Sequence, residues 1–239
     1  MLILYGHPFS SYTWKALIAL YASEVAFEVR AVDAQFPEHV DFVRHASPLG
    51  KFPVLTDGDI TIFEASAIVE YVGNHNQGMA SLIPLDPNAA NAMRMLDRVF
   101  DNYVMTPMAA IVGEHIRNPG APDQTRIAEA KAQLRQSYAW LEGWLEYYPF
   151  GEQVTLIECS AAPSLFYADW VEEIGDAFPR LKAWRAHLLR IPAVAQCVED
   201  ARHHAPTRGV GAQHDRAGDP GALDVGHDGG GLAVDGRRR

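Results

Sequence analysis

Short apolar runs alternate with helix-like repeats from residue 1 to residue 77. In chain order the pattern predicts a strand at 2–5, a helix from about residue 12, a strand at 27–32, a polar helix at 36–44, strands within GKFPVL (50–55) and ITIF (60–63), and a helix at 64–75. A strand–helix–strand unit implies a parallel strand pair with its helix packed on the sheet, and the hairpin adds antiparallel strands. The pattern therefore predicts a small βαβ-ββα domain over 1–77.

Farther along the chain, apolar residues recur three and four positions apart, as they do on the buried face of a helix. The predicted helical segments lie at 93–103, 127–145, 164–170, 181–189 and 193–198. Prolines such as Pro163 are expected to separate them, and Thr155 with Glu158 has the spacing of a capping box. We therefore predict a proline-containing linker over 78–88 and an all-helical domain over 89–205.

Residues 206–239 differ in composition from everything before them. They hold nearly half of the chain's 19 glycines and no aromatic residue, which is typical of a segment that does not fold. Every residue from Arg208 to Arg239 also belongs to the set encoded by codons beginning with G or C, as expected of a GC-rich gene read out of frame. We expect this tail to be disordered or frameshifted.

Composition and charge exclude several classes of protein. The net charge of −10 comes from interspersed acidic and basic residues, so the chain offers no basic stripe to a nucleic acid. No apolar run approaches the roughly 20 residues of a membrane-spanning helix, and the N-terminus lacks the basic region of a secretory signal. Cys159 and Cys197 have no metal-site spacing and are predicted to be buried thiols. A cytoplasmic protein without a membrane, nucleic-acid or metal partner is expected.

Five separated segments carry recognisable motifs: SPLGKFPVL (47–55), EASAI (64–68), TLIECSAAP (155–163), FPRLKAW (178–184) and RIPAV (190–194). In this order they resemble the glutathione S-transferase family, and the match looks closest to bacterial members that use a serine. The resemblance implies a thioredoxin-like N-terminal domain followed by an all-α helical bundle domain. It also implies a cytosolic homodimer that uses glutathione as co-substrate and attacks a small hydrophobic electrophile.

Pro53 opens an otherwise apolar strand, although proline cannot donate a hydrogen bond to a β-ladder. From the local sequence, an ordinary trans proline on an edge strand is one interpretation. The resemblance instead implies a cis Phe52–Pro53 bond that presents the backbone of Phe52 to the cysteinyl part of glutathione, which pairs as an added strand. Phe52, Pro53 and Val54 are therefore expected in the glutathione-binding site.

The chemistry requires the thiol of glutathione as a thiolate, whereas a free thiol has a pKa of about 8.5. A hydroxyl donor and a helix N-terminus both stabilise a thiolate, and the two coincide between the first strand and the first helix. By the resemblance, Ser10 matches the catalytic serine or cysteine of the family, with Ser11 and Tyr5 as rival candidates. The competing interpretation is that a serine here only caps the helix.

Three further residues complete the predicted glutathione site. By the resemblance, Lys51 reaches the glycyl carboxylate and Glu64 faces the γ-glutamyl amine. Ala65 departs from the family, which has a serine there to hold the γ-glutamyl carboxylate. Backbone N–H groups at that helix start could replace it, whereas Ser66 points about 100° round the helix. The missing hydrogen bond is expected to weaken glutathione binding by roughly tenfold or more.

The sequence leaves the reaction type open. Besides transfer, a glutathione-dependent isomerase, dehalogenase or peroxidase on the same fold is consistent with it. A catalytically weak glutathione- or ligand-binding relative that serves as a partner module is the non-enzymatic alternative. The electrophile is expected between the domains, against the helix that carries Phe100 and Tyr103.

Overall fold

The computed structural model describes residues 1–75, 82–148, 150–151 and 153–204. The N-terminal part consists of β1 (Leu2–Gly6), α1 (Ser11–Ala22), β2 (Phe27–Ala31), α2 (Pro37–Ala46), β3 (Val54–Asp57), β4 (Ile60–Phe63) and α3 (Ala65–His75). Every element predicted there is present. The predicted linker over 78–88 lies partly outside the described residues, and the predicted tail over 206–239 lies wholly outside them.

The four strands form one mixed sheet in the order β2-β1-β3-β4. β1 and β2 are parallel, whereas β3 is antiparallel to both β1 and β4. Successive residues of a strand face opposite sides of the sheet. Leu4 and Leu55 therefore face the main core with α1 and α3, while Tyr5 and Val54 face a smaller core that contains Val43 of α2. This arrangement confirms the predicted thioredoxin-like class of the N-terminal part.

The remaining described elements are helical: α4 (Pro87–Val99), α5 (Thr106–Arg117), α6 (Gln124–Trp144), α7 (Leu156–Val171), α8 (Pro179–Leu188) and α9 (Pro192–His204). A π-helical turn, Phe100–Met105, joins α4 to α5. Helix α1 packs against both α7 and α9, so the main core runs without a break from the sheet into the helices. The predicted all-helical second part is confirmed.

Pro163 does not separate two helices, so the prediction of a break there is wrong. It lies inside α7, which runs continuously from Leu156 to Val171. Proline inside a helix costs about 3 kcal/mol or more because a hydrogen bond is lost. Nearly every residue from 156 to 168 is buried, and this packing outweighs the local cost. The predicted capping box is present, with Thr155 and Glu158 bonded reciprocally at the start of α7.

None of the helices in the described ranges is both long enough and apolar enough to cross a lipid bilayer.

Candidate active site

A cleft of about 420 Å³ opens where the sheet domain meets the π-helical turn, and we call it the interdomain cleft. Five residues predicted from the sequence line it together: Lys51, Phe52, Pro53, Glu64 and Ala65. They come from the loop before β3 and from the junction of β4 with α3, which are adjacent because β3 and β4 form a hairpin. Val54 also lies here in sequence, but its side chain is buried against the α2 side of the sheet.

The loop before β3 has a defined backbone. The Phe52–Pro53 peptide bond is cis, as the resemblance implied. Gly50 has a φ of 61°, in the left-handed region that glycine enters most easily. The backbone N–H of Lys51 donates to Ser47 Oγ at 2.7 Å, while the side chain of Lys51 is exposed at the edge of the cleft. The loop therefore holds Lys51, Phe52 and Pro53 in fixed relative positions.

Glu64 has a backbone conformation that the sequence does not reveal. Its φ of 72° is in the left-handed region, a conformation that costs a non-glycine residue of order 1–3 kcal/mol. The residue ends the hairpin and precedes Ala65, the first residue of α3. Within the described residues its carboxylate makes no hydrogen bond and no ion pair. Glu64 is therefore presented to the cleft by a strained turn and is free to bind a cation.

Ser10 is the N-cap residue of α1. Its Oγ accepts a hydrogen bond from the backbone N–H of Thr13 at 3.2 Å, as in the capping interpretation. A hydroxyl that accepts one hydrogen bond still has a proton to donate, and none of the described residues accepts that proton. Capping and donation to a ligand are therefore compatible. Ser10 lies at the helix N-terminus outside the cleft lining, two residues before Tyr12, which lines the cleft.

The loop that carries Ser10 is held by buried contacts. Thr13 Oγ1 accepts from the backbone N–H of His7 at 3.2 Å, and Trp14 Nε1 donates to the carbonyl of Pro8 at 2.6 Å. A side chain at Gly6 would come within 2.5 Å of Thr13, so this close approach requires glycine. The rings of His7 and Phe52 lie 6.2 Å apart, which places the loop beside the cis-proline loop.

Tyr5 and Ser11, the rival candidates, have different surroundings. Tyr5 is 5% exposed and stacks on Phe42 of α2 with ring centroids 4.2 Å apart. Its hydroxyl accepts a hydrogen bond from Arg30 Nη1 at 2.7 Å. Tyr5 thus belongs to the smaller core under α2, away from the interdomain cleft. Ser11 is partly buried as the first residue of α1.

A group of buried charges behind the cleft was not predicted from the sequence. This interdomain ion cluster consists of Lys15 from α1, Asp97 from α4, Asp101 from the π-helical turn, Ser66 from α3 and Ser160 from α7. The Nζ of Lys15 contacts Asp97 Oδ1 and lies 2.9 and 3.0 Å from the two carboxylate oxygens of Asp101. Ser66 and Ser160 donate to Asp97 at 2.8 and 2.6 Å. The cluster joins helical segments across the domain boundary.

The cluster shifts the pKa values of its two carboxyls in opposite directions. Burial by itself would raise the pKa of Asp97, but the charge of Lys15 and hydrogen bonds from Lys15, Ser160 and Arg98 lower it below the ordinary value of 3.8. Burial raises the pKa of Asp101, and the neighbouring Lys15 offsets only part of that rise. Asp97 is therefore the carboxylate that the cluster stabilises most strongly in its ionised form.

The cleft residues that sequence reasoning missed include Tyr12, Arg98 and Asn102. Arg98 and Asn102 come from the helical part of the chain and reach the cleft because α4 ends beside α3. Burial, reinforced by the charge of Asp101, raises the pKa of Tyr12 to about 12, so its hydroxyl is protonated at neutral pH.

Cys159 and Cys197 are both buried, as predicted. Burial raises the pKa of each thiol. Neither is therefore a reactive thiolate at neutral pH.

Comparison with known families agrees with the motifs. The family model described as glutathione S-transferase, N-terminal domain, matches residues 1–74, and the model described as glutathione S-transferase, C-terminal domain, matches residues 124–187. The two matched segments together make up more than half of the chain. The chain belongs to the glutathione S-transferase family.

Individual relatives are similar over most of their length. Glutathione S-transferase PARB of Nicotiana tabacum is 28% identical over 205 residues, which is 82% of this chain and 96% of the relative. Glutathione S-transferase 1 of Triticum aestivum is 29% identical over 234 residues, which is 88% of this chain and 98% of the relative. The predicted family is thus supported by whole-length similarity to proteins of that name.

Solved structures share the fold. Glutathione transferase F7 from Populus trichocarpa is 25% identical with a TM-score of 0.72, over 84% of this chain and 99% of that one. A Methylobacillus flagellatus glutathione S-transferase with glutathione bound is 24% identical with a TM-score of 0.71, over 82% and 98%. Both plant and bacterial proteins are therefore similar to this chain, and its assignment to a bacterial serine-type subgroup stays a prediction.

Proposed function

We propose that this chain is a glutathione transferase in which Ser10 stabilises the thiolate of glutathione bound in the interdomain cleft. The observation that supports this most directly is the position of the Ser10 hydroxyl. It lies at the N-terminus of α1, in the loop whose His7 ring is 6.2 Å from that of Phe52, and its proton is unused among the described residues. A hydroxyl proton and the partial positive charge of a helix N-terminus both favour a thiolate over a thiol.

The remaining predicted residues fit the rest of the substrate. We propose that Phe52 and Pro53, which line the cleft, contact the cysteinyl part of glutathione, with Val54 supporting them from β3. Lys51 is exposed at the cleft edge and is assigned to the glycyl carboxylate. Glu64, whose carboxylate is unpaired among the described residues, is assigned to the γ-glutamyl ammonium. Ala65 and its neighbouring backbone lie against the γ-glutamyl carboxylate.

The finer features of the proposal follow the family. We propose that the second substrate is a small hydrophobic electrophile that enters from the side of the π-helical turn. We also propose a cytosolic homodimer. Phe100, on the helical segment that faces this pocket, is fully buried in the core, so the electrophile would meet more exposed neighbours such as Tyr103.

The test compares matched hydroxyl deletions in the conjugation of glutathione to 1-chloro-2,4-dinitrobenzene. Ser10→Gly is preferred to Ser10→Ala, because glycine at an N-cap costs only a few tenths of a kcal/mol whereas alanine costs about 1 kcal/mol. We expect kcat to fall by roughly 10- to 1000-fold with little change in the Kd for glutathione, since the lost hydrogen bond acts on the thiolate. Ser11→Gly and Tyr5→Phe are the matched controls and should keep most of the turnover.

Each outcome decides a specific part of the proposal. Full turnover in Ser10→Gly, with a loss in Ser11→Gly or Tyr5→Phe, would move the role to that residue. Glutathione binding without any turnover in the wild type would identify the chain as the binding relative, an alternative that the missing hydroxyl at Ala65 favours. Failure of the wild type to bind glutathione would refute the proposed function altogether.

A further inference from the structure

The α3 side of the interdomain cleft contains hydrogen-bond donors that the predicted glutathione site does not use. Tyr12 lines the cleft and is 37% exposed, and its hydroxyl has no hydrogen-bond partner in the described part of the chain. Its pKa of about 12 keeps the proton in place, so toward an anion the hydroxyl acts as a donor. An unused donor in a partly buried wall is a position where a ligand atom can add a hydrogen bond.

Arg98 supplies a second donor group on the same wall. One edge of its guanidinium is held by the ion cluster: Nε lies 3.1 Å from Asp97 Oδ2, and Nη2 lies 2.9 Å from Asp101 Oδ2. The Nη1 group makes no hydrogen bond to any described residue, and 52% of the side chain is exposed. The carboxylates thus fix the direction of the guanidinium of Arg98, a residue that lines the cleft, and leave one of its nitrogen atoms without a partner among the described residues.

The charged side chains around this wall suit a ligand group that carries both a negative and a positive charge. Lys15 is enclosed in the ion cluster, whereas Arg98, which pairs with the same two carboxylates, also lines the cleft. Burial alone would lower the pKa of Arg98, but the hydrogen bond to Asp97 and the charges of Asp97 and Asp101 raise it, and the charge of Glu64 adds to that rise. An amino acid's α-carboxylate and α-ammonium would meet Arg98 and Glu64, respectively.

We propose that Arg98 and Tyr12 bind the α-carboxylate of the γ-glutamyl group of glutathione, in place of the serine hydroxyl that Ala65 lacks. The inference rests on the proposed function, since it names the groups that hold one end of that substrate. Ser66 does not fill this role because its hydroxyl donates to Asp97. A guanidinium nitrogen and a phenol hydroxyl, both without a partner among the described residues, are donors suited to a carboxylate.

The inference is tested by titration calorimetry with two modified peptides. One is γ-aminobutyryl-cysteinyl-glycine, which is glutathione without the α-carboxylate. The other is γ-glutamyl-cysteinyl-glycinamide, in which the glycyl carboxylate is neutralised. For the wild type we expect the first peptide to bind roughly 10- to 100-fold more weakly than glutathione, because hydrogen bonds to a charged group are lost.

The variants then locate the lost interaction. Arg98→Gln and Tyr12→Phe should each weaken glutathione binding by roughly 5- to 50-fold and leave the affinity for the decarboxylated peptide nearly unchanged. The ratio of the affinity for glutathione to the affinity for the decarboxylated peptide should therefore shrink in both variants. Arg98→Lys, which keeps a positive charge, should retain part of that ratio. Lys51→Gln is the matched control: it should keep this ratio and reduce the discrimination against the glycinamide peptide.

Two results would overturn the inference. An unchanged ratio in both variants would show that neither residue binds the carboxylate. An equal loss of affinity for all three ligands in Arg98→Gln, with a lower melting temperature, would show that Arg98 only supports the fold. The affinity ratio measured with Tyr12→Phe would then show whether Tyr12 alone binds the carboxylate. Failure of the wild type to bind glutathione has a different meaning. It would refute the proposed function itself, and not only the assignment of Arg98 and Tyr12 as the residues that bind the α-carboxylate.

Discussion

The interdomain ion cluster and the interdomain cleft are neighbouring polar regions: Asp101 belongs to both, and Arg98 of the cleft contacts the carboxylates of the cluster. The two regions differ in how their groups are paired. In the cluster, Lys15 has 2% of its side chain exposed and contacts the carboxylates of Asp97 and Asp101. In the cleft, the hydroxyl of Tyr12 and the carboxylate of Glu64 have no hydrogen-bond partner within the described ranges. The charged groups of the cluster pair with one another, whereas these two groups of the cleft have no partner among the described residues.

The difference separates groups that hold the fold from groups that bind a ligand. A buried charge is stable only when its partners are present, so removing one partner from the cluster should destabilise the protein. An unpaired group at a cleft adds little to stability, because water satisfies it before a ligand does. Substitutions in the cluster should therefore change the free energy of unfolding, and substitutions in the cleft should change affinity.

The largest effect is expected from Lys15→Met, which removes the cation of the cluster and keeps a side chain of similar length. Asp97 and Asp101 would remain buried without it, so the free energy of unfolding should fall by about 3–5 kcal/mol. Urea denaturation followed by tryptophan fluorescence measures the change. Lys182→Met is the matched control, because Lys182 pairs with Asp176 at 2.7 Å on the surface and its loss should leave the midpoint unchanged. Equal midpoints for both variants would contradict the structural role of the cluster.

Much of the fold was predictable because it depends on residues that are near one another in the sequence. The apolar periods predicted the βαβ-ββα order, and the spacing of Thr155 and Glu158 predicted a cap that the structure contains. The break at Pro163 was wrong because long-range burial outweighs a local preference. The π-helical turn was also missed, since the apolar spacing from α4 into Phe100–Met105 resembles that of a continuous helix.

The site was predictable only in part, for the same physical reason. Lys51, Phe52, Pro53, Glu64 and Ala65 belong to two contiguous motifs, and the hairpin brings those motifs together. Arg98 joins them only through the packing of α4 on the sheet domain, which no local pattern encodes. A weaker signal was present: Asp97 and Asp101 are four residues apart and so share a helix face, while Lys15 is a lone charge in the apolar helix α1.

A second prediction compares the same substitution, tyrosine to phenylalanine, at a hydroxyl that is paired with a buried carboxylate and at a hydroxyl in the cleft. Tyr148 donates from its hydroxyl to Oε1 of the buried Glu158 at 2.7 Å, whereas the hydroxyl of Tyr12 has no partner among the described residues. Tyr148→Phe should lower the free energy of unfolding by about 1.5–3 kcal/mol, since a hydrogen bond to a charge is lost. Tyr12→Phe should change it by less than about 0.5 kcal/mol. Chemical denaturation of the two variants side by side measures both values, and a comparable loss in each would mean that Tyr12 is paired in solution.

The smallest effect is expected from Ala65→Ser, which restores the family's hydroxyl at the start of α3. The sequence alone predicts tighter glutathione binding, but Arg98 and Tyr12 offer donors to the same carboxylate. In the wild type the gain should therefore be roughly threefold or less, and in the Arg98→Gln background it should reach about tenfold, because the new hydroxyl then replaces a lost donor. Calorimetric titration of the four proteins with glutathione gives the coupling between the two positions. An identical gain in both backgrounds would show that the introduced hydroxyl and the Arg98 guanidinium act on different parts of the ligand.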